Sequence, residues 1–505
     1  MGASAAGGAA KVKTGKPVAS SETSVARASA LLGDLDEKRL TADPAYAAEV
    51  VRSVDLIVPS LSGEPKAAFL NLKLVALLAS GEQESAAALA TRLIEAEPHL
   101  AFYYPMAFLI HGSGESPEPA VALIERAAAA VTAAEQRSKL HEGLDEDSMF
   151  GFRRLLEQGK DQDRIRRVDE ALVKLDWPGP ASLQTRDYIR VEAAKGRLAR
   201  GDTTGARELA AQVDAPDALL GLLTQRKYDG LFPAGLDRTE RLGAAIAAED
   251  RATAAALAKS GNDPRRLLNR VQFLRSVGRD AEAVRTADPM LADMDVVADA
   301  GVPAFWVVND AAFAMVRSGR SVQAVVLMKR LLALGVDEHP DLINMSINAG
   351  QIMVQAGMYA EAFQHASTIE KTQAQHASAY GKAWMAETAV CALAGSDRLG
   401  EADPWLAKLT ADTDVNPAAS TRALLCAGRL DEAERLILKR LRSDDPAGIL
   451  AAVQDYRIVG TPVPHDKLLR ERWDAVLARP AVVAEIEKVG RRLSLPLARA
   501  YWGRY

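Results

Sequence analysis

The feature that most constrains this chain is a recurring pair: a glycine at a bend and a small residue five places later. Gly81, Gly201, Gly278, Gly319, Gly357, Gly395 and Gly428 each close a helix-forming stretch, and Ala86, Ala206, Ala283, Ala324, Ala362, Gly400 and Ala433 follow at that offset. Glycine adopts the left-handed backbone that ends a helix and turns the chain. A small residue one turn into the next helix lets that helix lie close against the first. From Gly278 onward the bends are 41, 38, 38 and 33 residues apart, the period of stacked helical hairpins.

The second helix of each pair carries an apolar stripe at helical spacing: Val325, Met328, Leu331 and Leu332; Ala362, Phe363, Ala366 and Ile369; Ala433, Leu436, Ile437 and Leu441. One dry face per helix must be covered by the hairpin before or after, so the units stack rather than fold alone. The composition agrees. Aromatics are 5% of the chain while Ala, Leu, Glu and Arg abound, so helix is expected almost throughout and strand hardly at all.

In chain order, 1–22 reads as a flexible Ala/Gly/Ser tail and 23–180 as N-terminal hairpins, partly irregular and ending at the break Trp177-Pro178-Gly179-Pro180. Degenerate repeats follow over 181–260, a regular array over 261–443 and an atypical cap over 444–505.

The best unit is Asn348-Ala349-Gly350-Gln351-Ile352-Met353 followed by Gly357-Met358-Tyr359-Ala360-Glu361-Ala362. With a small residue seven before the bend, an aromatic two after and Ala five after, it resembles the tetratricopeptide repeat family, in a bacterial form. The unit around Gly428 keeps the bend and Ala433 but has Thr421 and Leu430 at the other two places. The resemblance spans most of Lys66 to Ser443. It implies an all-α fold, a right-handed superhelical solenoid of antiparallel helical hairpins, used for holding peptides and partner proteins rather than for catalysis.

Asn344, Asn348, Gln351 and Gln355 fall on one face of a helix at i, i+4, i+7 and i+11. Amides donate and accept, so this face suits the backbone of an extended peptide; a plain solvated face is the simpler reading. The matching face one hairpin earlier presents Trp306, Asp310, Phe313 and Arg317, either as a mixed peptide surface or, for the two aromatics, as core.

The net charge of −5 and the interleaving of acids with bases give no footprint for nucleic acid. The seven histidines lack ligand spacing, and His141 beside Glu142, Asp145, Glu146 and Asp147 reads as a solvated acidic turn rather than a cation site. Cys391 and Cys426, both in apolar helical surroundings, are expected as buried small hydrophobes, with no zinc pattern. No cofactor, metal or catalytic set is expected. No apolar run is long enough for a membrane helix and no signal peptide is legible, which points to the cytoplasm, or to the periplasm if a leader has been trimmed. These readings together predict a non-enzymatic scaffold that binds a peptide or protein segment on its concave face. The alternatives are an all-α toroidal enzyme acting on polysaccharide and a sensor that changes curvature with its ligand.

Overall fold

The structure, a computed structural model, describes residues 30–498 apart from 32, 34, 113–115, 180–182, 262 and 461–462. The expected tail, the first residues of the expected N-terminal hairpins (23–29) and residues 499–505 lie outside that range. The chain divides into two compact units, Met1–Ala193 and Ala194–Tyr505.

The first unit is helical throughout: α1 (Glu37–Ala42), α2 (Pro44–Ile57), α3 (Gly63–Ala79), α4 (Gln83–Ala96), α5 (Tyr104–Gly112), α6 (Glu118–Ala130), α7 (Ala134–Gly143), α8 (Glu146–Gln158), α9 (Gln162–Leu175) and the start of α10 (Leu183–Ala199). Local chemistry sets several starts: the Asp43 carboxylate accepts from the Ala45 and Tyr46 amides ahead of Pro44, and Asp145 and Asp161 cap α8 and α9 in the same way. Helix α3 packs on α4 and on α5, and α5 on α6 and α7, so α3, α5 and α7 stand side by side.

The second unit contains the rest of α10, then α11 (Thr203–Ala211), α12 (Pro216–Leu223), α13 (Arg238–Ser260), α14 (Pro264–Ser276), α15 (Asp280–Leu291), α16 (Met294–Ala300), α17 (Val302–Arg317), α18 (Ser321–Leu332), α19 (Leu342–Gln355), α20 (Tyr359–Thr372), α21 (Ala379–Gly395), α22 (Asp403–Ala411), α23 (Pro417–Cys426), α24 (Leu430–Leu441), α25 (Ala447–Ala452), β1 (Asp455–Arg457), α26 (Pro464–Leu477), α27 (Pro480–Val489) and β2 (Ser494–Ala498). First helices α14, α17, α19, α21 and α23 pack in sequence on one another, while α15, α18 and α20 each lean on the first helix of the next hairpin. First helices therefore line the inner side of the stack. This is the expected all-α solenoid of antiparallel hairpins.

The bends follow one hydrogen-bond pattern. Gly428 N–H donates to the Leu425 carbonyl and Arg429 N–H to that of Leu424, with Gly428 at φ +72°; Gly81, Gly201, Gly278, Gly319 and Gly357 sit at similar positive φ. Ala86, Ala206, Ala283, Ala324, Ala362 and Ala433 are each fully buried. One bend differs from expectation. Helix α21 runs through Gly395, and Asp397 takes the left-handed conformation at φ +57°. The small residue five places on is then Ala402, fully buried, while Gly400 is exposed. Gly395 serves another end: a side chain there would strike the Tyr359 ring. In the irregular stretch of the first unit, Lys160 makes the same left-handed bend between α8 and α9.

The two short strands pair in parallel, Tyr456 opposite Leu495, and they belong to a C-terminal segment that runs back along the array. Arg457 donates to the Val277 carbonyl and Val459 lies against Gly278. Gly460 lies against the Arg317 carbonyl, His465 meets the Tyr359 ring, and Arg472 donates to the Leu425 and Cys426 carbonyls. These are the ends of α14, α17, α23 and the start of α20, so one strap touches the bends at Gly278, Gly319, Gly357 and Gly428. Carbonyls in the last turn of a helix have no partner within it, and arginines satisfy them here. Beyond the strap, α27 packs on α24, β2 on α13 and α14, and α25 on α12. Arg491 binds Asp229 at 2.5 Å, so the second unit closes on itself.

Candidate functional site

The inner side of the second unit is filled by its own side chains. Of the four amides, only Asn344 is exposed; Asn348, Gln351 and Gln355 are buried. Asn348 donates to Asn309 across to α17 at 2.8 Å, and Gln351 donates to Glu387 on α21 at 2.8 Å. Both side-chain atoms of Gln355 lack a hydrogen-bond partner. Asp310 is ion-paired with Arg275 and accepts from Gln272 at 3.0 Å, and Arg317 holds Asp280 at 2.5 Å. Phe313 is core and Trp306 packs, half-buried, against the same core. The expected open amide face is thus a polar seam between neighbouring first helices. Side-chain spacing places residues on one face of a helix, but which face the next hairpin covers depends on how the hairpins stack, and the spacing does not carry that.

The seam ends in a charged cluster. Glu387 and Arg422, each 1% exposed, meet at 3.0 Å, and the Arg422 guanidinium lies 5.8 Å from the Trp384 ring centre. Burial raises the Glu387 carboxyl above its ordinary range, against the pull of Arg422. Burial also drives the His465 imidazole down to about 3, helped by Arg422 and Arg472, so it is neutral. The buried carboxylates Asp280, Asp310 and Glu387 all face arginines.

Cys391 and Cys426 are buried, as expected, but they are also bonded to each other as a disulfide between α21 and α23. Their sulfurs and a His465 ring nitrogen lie within 4.8 Å of one another. Sequence spacing concealed this cluster because the three residues come from two stacked first helices and the strap.

An open groove lies in the first unit. A cavity of about 830 Å³ crosses α3, the turn after α4, α5 and α7. Its floor is Ala67, Ala68, Leu100, Pro105 and Met106, with Phe102 42% exposed beside it. The Asn71 side-chain oxygen faces no donor, whereas Gln136 is fixed by the Ala101 amide at 3.0 Å. Glu97, His99, Lys139 and Glu142 form the polar rim. Below it, burial raises the Tyr103 and Tyr104 phenols to about 12, so both stay protonated. His141 Nε2 donates to the Leu175 carbonyl, 3.0 Å away, rather than joining an acidic site. The one signal in the sequence for this groove is the run Phe102-Tyr103-Tyr104, in which two rings are buried and the first is left exposed.

No family model matches the chain, and no curated protein does. Among solved structures it is similar to yeast Tom70, at 10% identity and a TM-score of 0.33 over 93% of this chain and 99% of that one. It is also similar to a chain of the Naa15/Naa10 complex bound to HypK-THB (12%, TM-score 0.23, 92% and 70%). A monomeric mutant of IFIT1 with Gppp-AAAA is a third (12%, TM-score 0.24, 88% and 95%). The assignment to helical hairpins rests on the hairpins described above. Among the described residues no helix is long and apolar enough to cross a membrane.

Proposed function

We propose that this chain is a binding scaffold whose first unit takes an extended segment of a partner protein in the groove across α3, α5 and α7. The observation that carries this reading is the groove itself: a cavity of ligand-pocket size, apolar at its floor, with an exposed aromatic beside it. An apolar partner side chain would cover Met106 and Phe102. Exposed Glu97 and Glu142 at the rim favour a basic residue beside that apolar anchor. Preformed helices lose little entropy on binding, which lets a short segment suffice.

The test is selection of displayed peptides on the whole protein, followed by titration against Met106→Glu and Phe102→Ser variants. Peptides with an apolar residue next to a basic one should emerge and weaken about tenfold or more on either variant, since burying an unpaired charge or losing an aromatic anchor costs at least about 1.4 kcal/mol. Failure to select any peptide, or wild-type affinity in both variants, would refute the groove.

A further inference from the structure

We propose that the pair Cys391–Cys426, when reduced, forms a zinc site with His465 and Glu387. Two sulfurs and an imidazole nitrogen lie within 4.8 Å of one another; Glu387 stands outside that triad, with its Oε1 atom 3.3 Å from Cys391 Sγ, and would swing toward the metal to complete the set. All four residues are buried, His465 to 5% exposure, and its Nε2 atom has no hydrogen-bond partner. Zinc takes thiolate at about 2.3 Å and imidazole at about 2.0 Å in a tetrahedron, which sets ligand atoms about 3.3–3.8 Å apart. Breaking the S–S bond lets the sulfurs separate toward that spacing. Gln351 and Arg422 already hold the Glu387 carboxylate, as outer partners of a metal ligand do, and Arg422 balances the excess negative charge of two thiolates and a carboxylate around a divalent ion.

The chemistry closes in two steps. A thiol reductant supplies two electrons and two protons, cleaving the disulfide to two thiols and becoming a disulfide itself. Zinc then replaces the two thiol protons, which pass to buffer. A disulfide persists in oxidising compartments and is reduced by the thiol pools of the cytosol, so the compartment selects the state. The two states hold different parts together: the disulfide joins α21 to α23, whereas the metal also ties in the strap through His465. The proposal is independent of the groove in the first unit.

The test uses the whole protein, either oxidised or reduced with a phosphine under argon, with thiols counted and helix content followed by circular dichroism. Cobalt(II) is titrated and then displaced by zinc. The expected result is one cobalt per reduced chain with intense thiolate charge-transfer absorption, and none in the oxidised chain. His465→Asn should keep two countable thiols but bind cobalt roughly tenfold or more weakly, and Glu387→Gln should weaken it too. Reduced protein that loses helix without metal and regains it with zinc supports the site. Reduced chain that binds no cobalt, whether folded or not, overturns it. So does a folded His465→Asn variant with wild-type affinity and spectrum.

Discussion

Replacing Arg422 by Met tests the buried seam directly. The side chain keeps its approximate volume and loses its charge, leaving Glu387 with the Gln351 amide as its remaining polar contact outside α21. Two charges about 4 Å apart attract by about 4 kcal/mol at an effective dielectric constant of 20, and breaking a buried pair from one side costs about 3–5 kcal/mol. That is a large fraction of the stability of a typical domain. The carboxyl can escape by taking a proton. Its pKa is already raised by burial, and removing Arg422 raises it further. A group whose folded pKa lies above its unfolded value adds stability as the pH falls, so the deficit should be largest at high pH. Urea unfolding of the oxidised protein followed by circular dichroism at pH 8 and pH 6.5 should show a deficit of about 4 kcal/mol at the first. It should shrink at the second by no more than about 1.4 kcal/mol per pH unit. The Arg422→Met/Glu387→Gln pair should recover most of the loss. A deficit under about 1 kcal/mol at pH 8, or an equal deficit at both values, would refute the reasoning.

Three further outcomes are expected. The neutral, buried His465 has a folded pKa depressed to about 3, so its contribution is present above the unfolded value near 6.5 and is lost as the pH falls toward 3. The oxidised wild type should therefore lose about 2 kcal/mol more than His465→Asn between neutrality and pH 5, read from paired urea curves. Asn348→Ala strands the Asn309 oxygen and should cost about 1–2 kcal/mol in the same assay while leaving peptide affinity in the first unit unchanged. Gly460→Ala would drive a methyl group into the Arg317 carbonyl at a backbone φ of +74°, so hydrogen exchange should speed up across 455–477 while the first unit keeps its protection.

The fold was legible because its determinants are local. A glycine that must turn left-handed and an alanine that must vanish under the next helix stand a fixed distance apart, as Gly357 and Ala362 do. Asp397 and Lys160 make the same bend without glycine, aspartate being tolerant of that backbone and Lys160 being held there by its neighbours, so a reading keyed to glycine misplaces one bend and misses another. The site was less legible because its determinants are distant. Nothing near Asn348 or Gln351 in the sequence tells that hairpins on either side will cover them. Nothing near Cys391 tells that Cys426 and His465 will arrive beside it. Phe102 is the partial exception: its neighbours Tyr103 and Tyr104 turn inward, with the Tyr104 hydroxyl on the Pro98 carbonyl, and it stays out.

The strap has a consequence for synthesis. A plain hairpin array can order itself from its first unit as the chain leaves the ribosome, each new pair settling on the last. Here Val277 and Gly278 wait for Arg457 and Val459, with 180 residues from Val277 to Arg457, and Asp229 waits for Arg491, 262 residues later. Contacts that far apart in sequence form slowly, since the intervening chain must first be confined. The second unit therefore stays incomplete until its last residues are made, with open bends that a chaperone would find and a finished protein would hide.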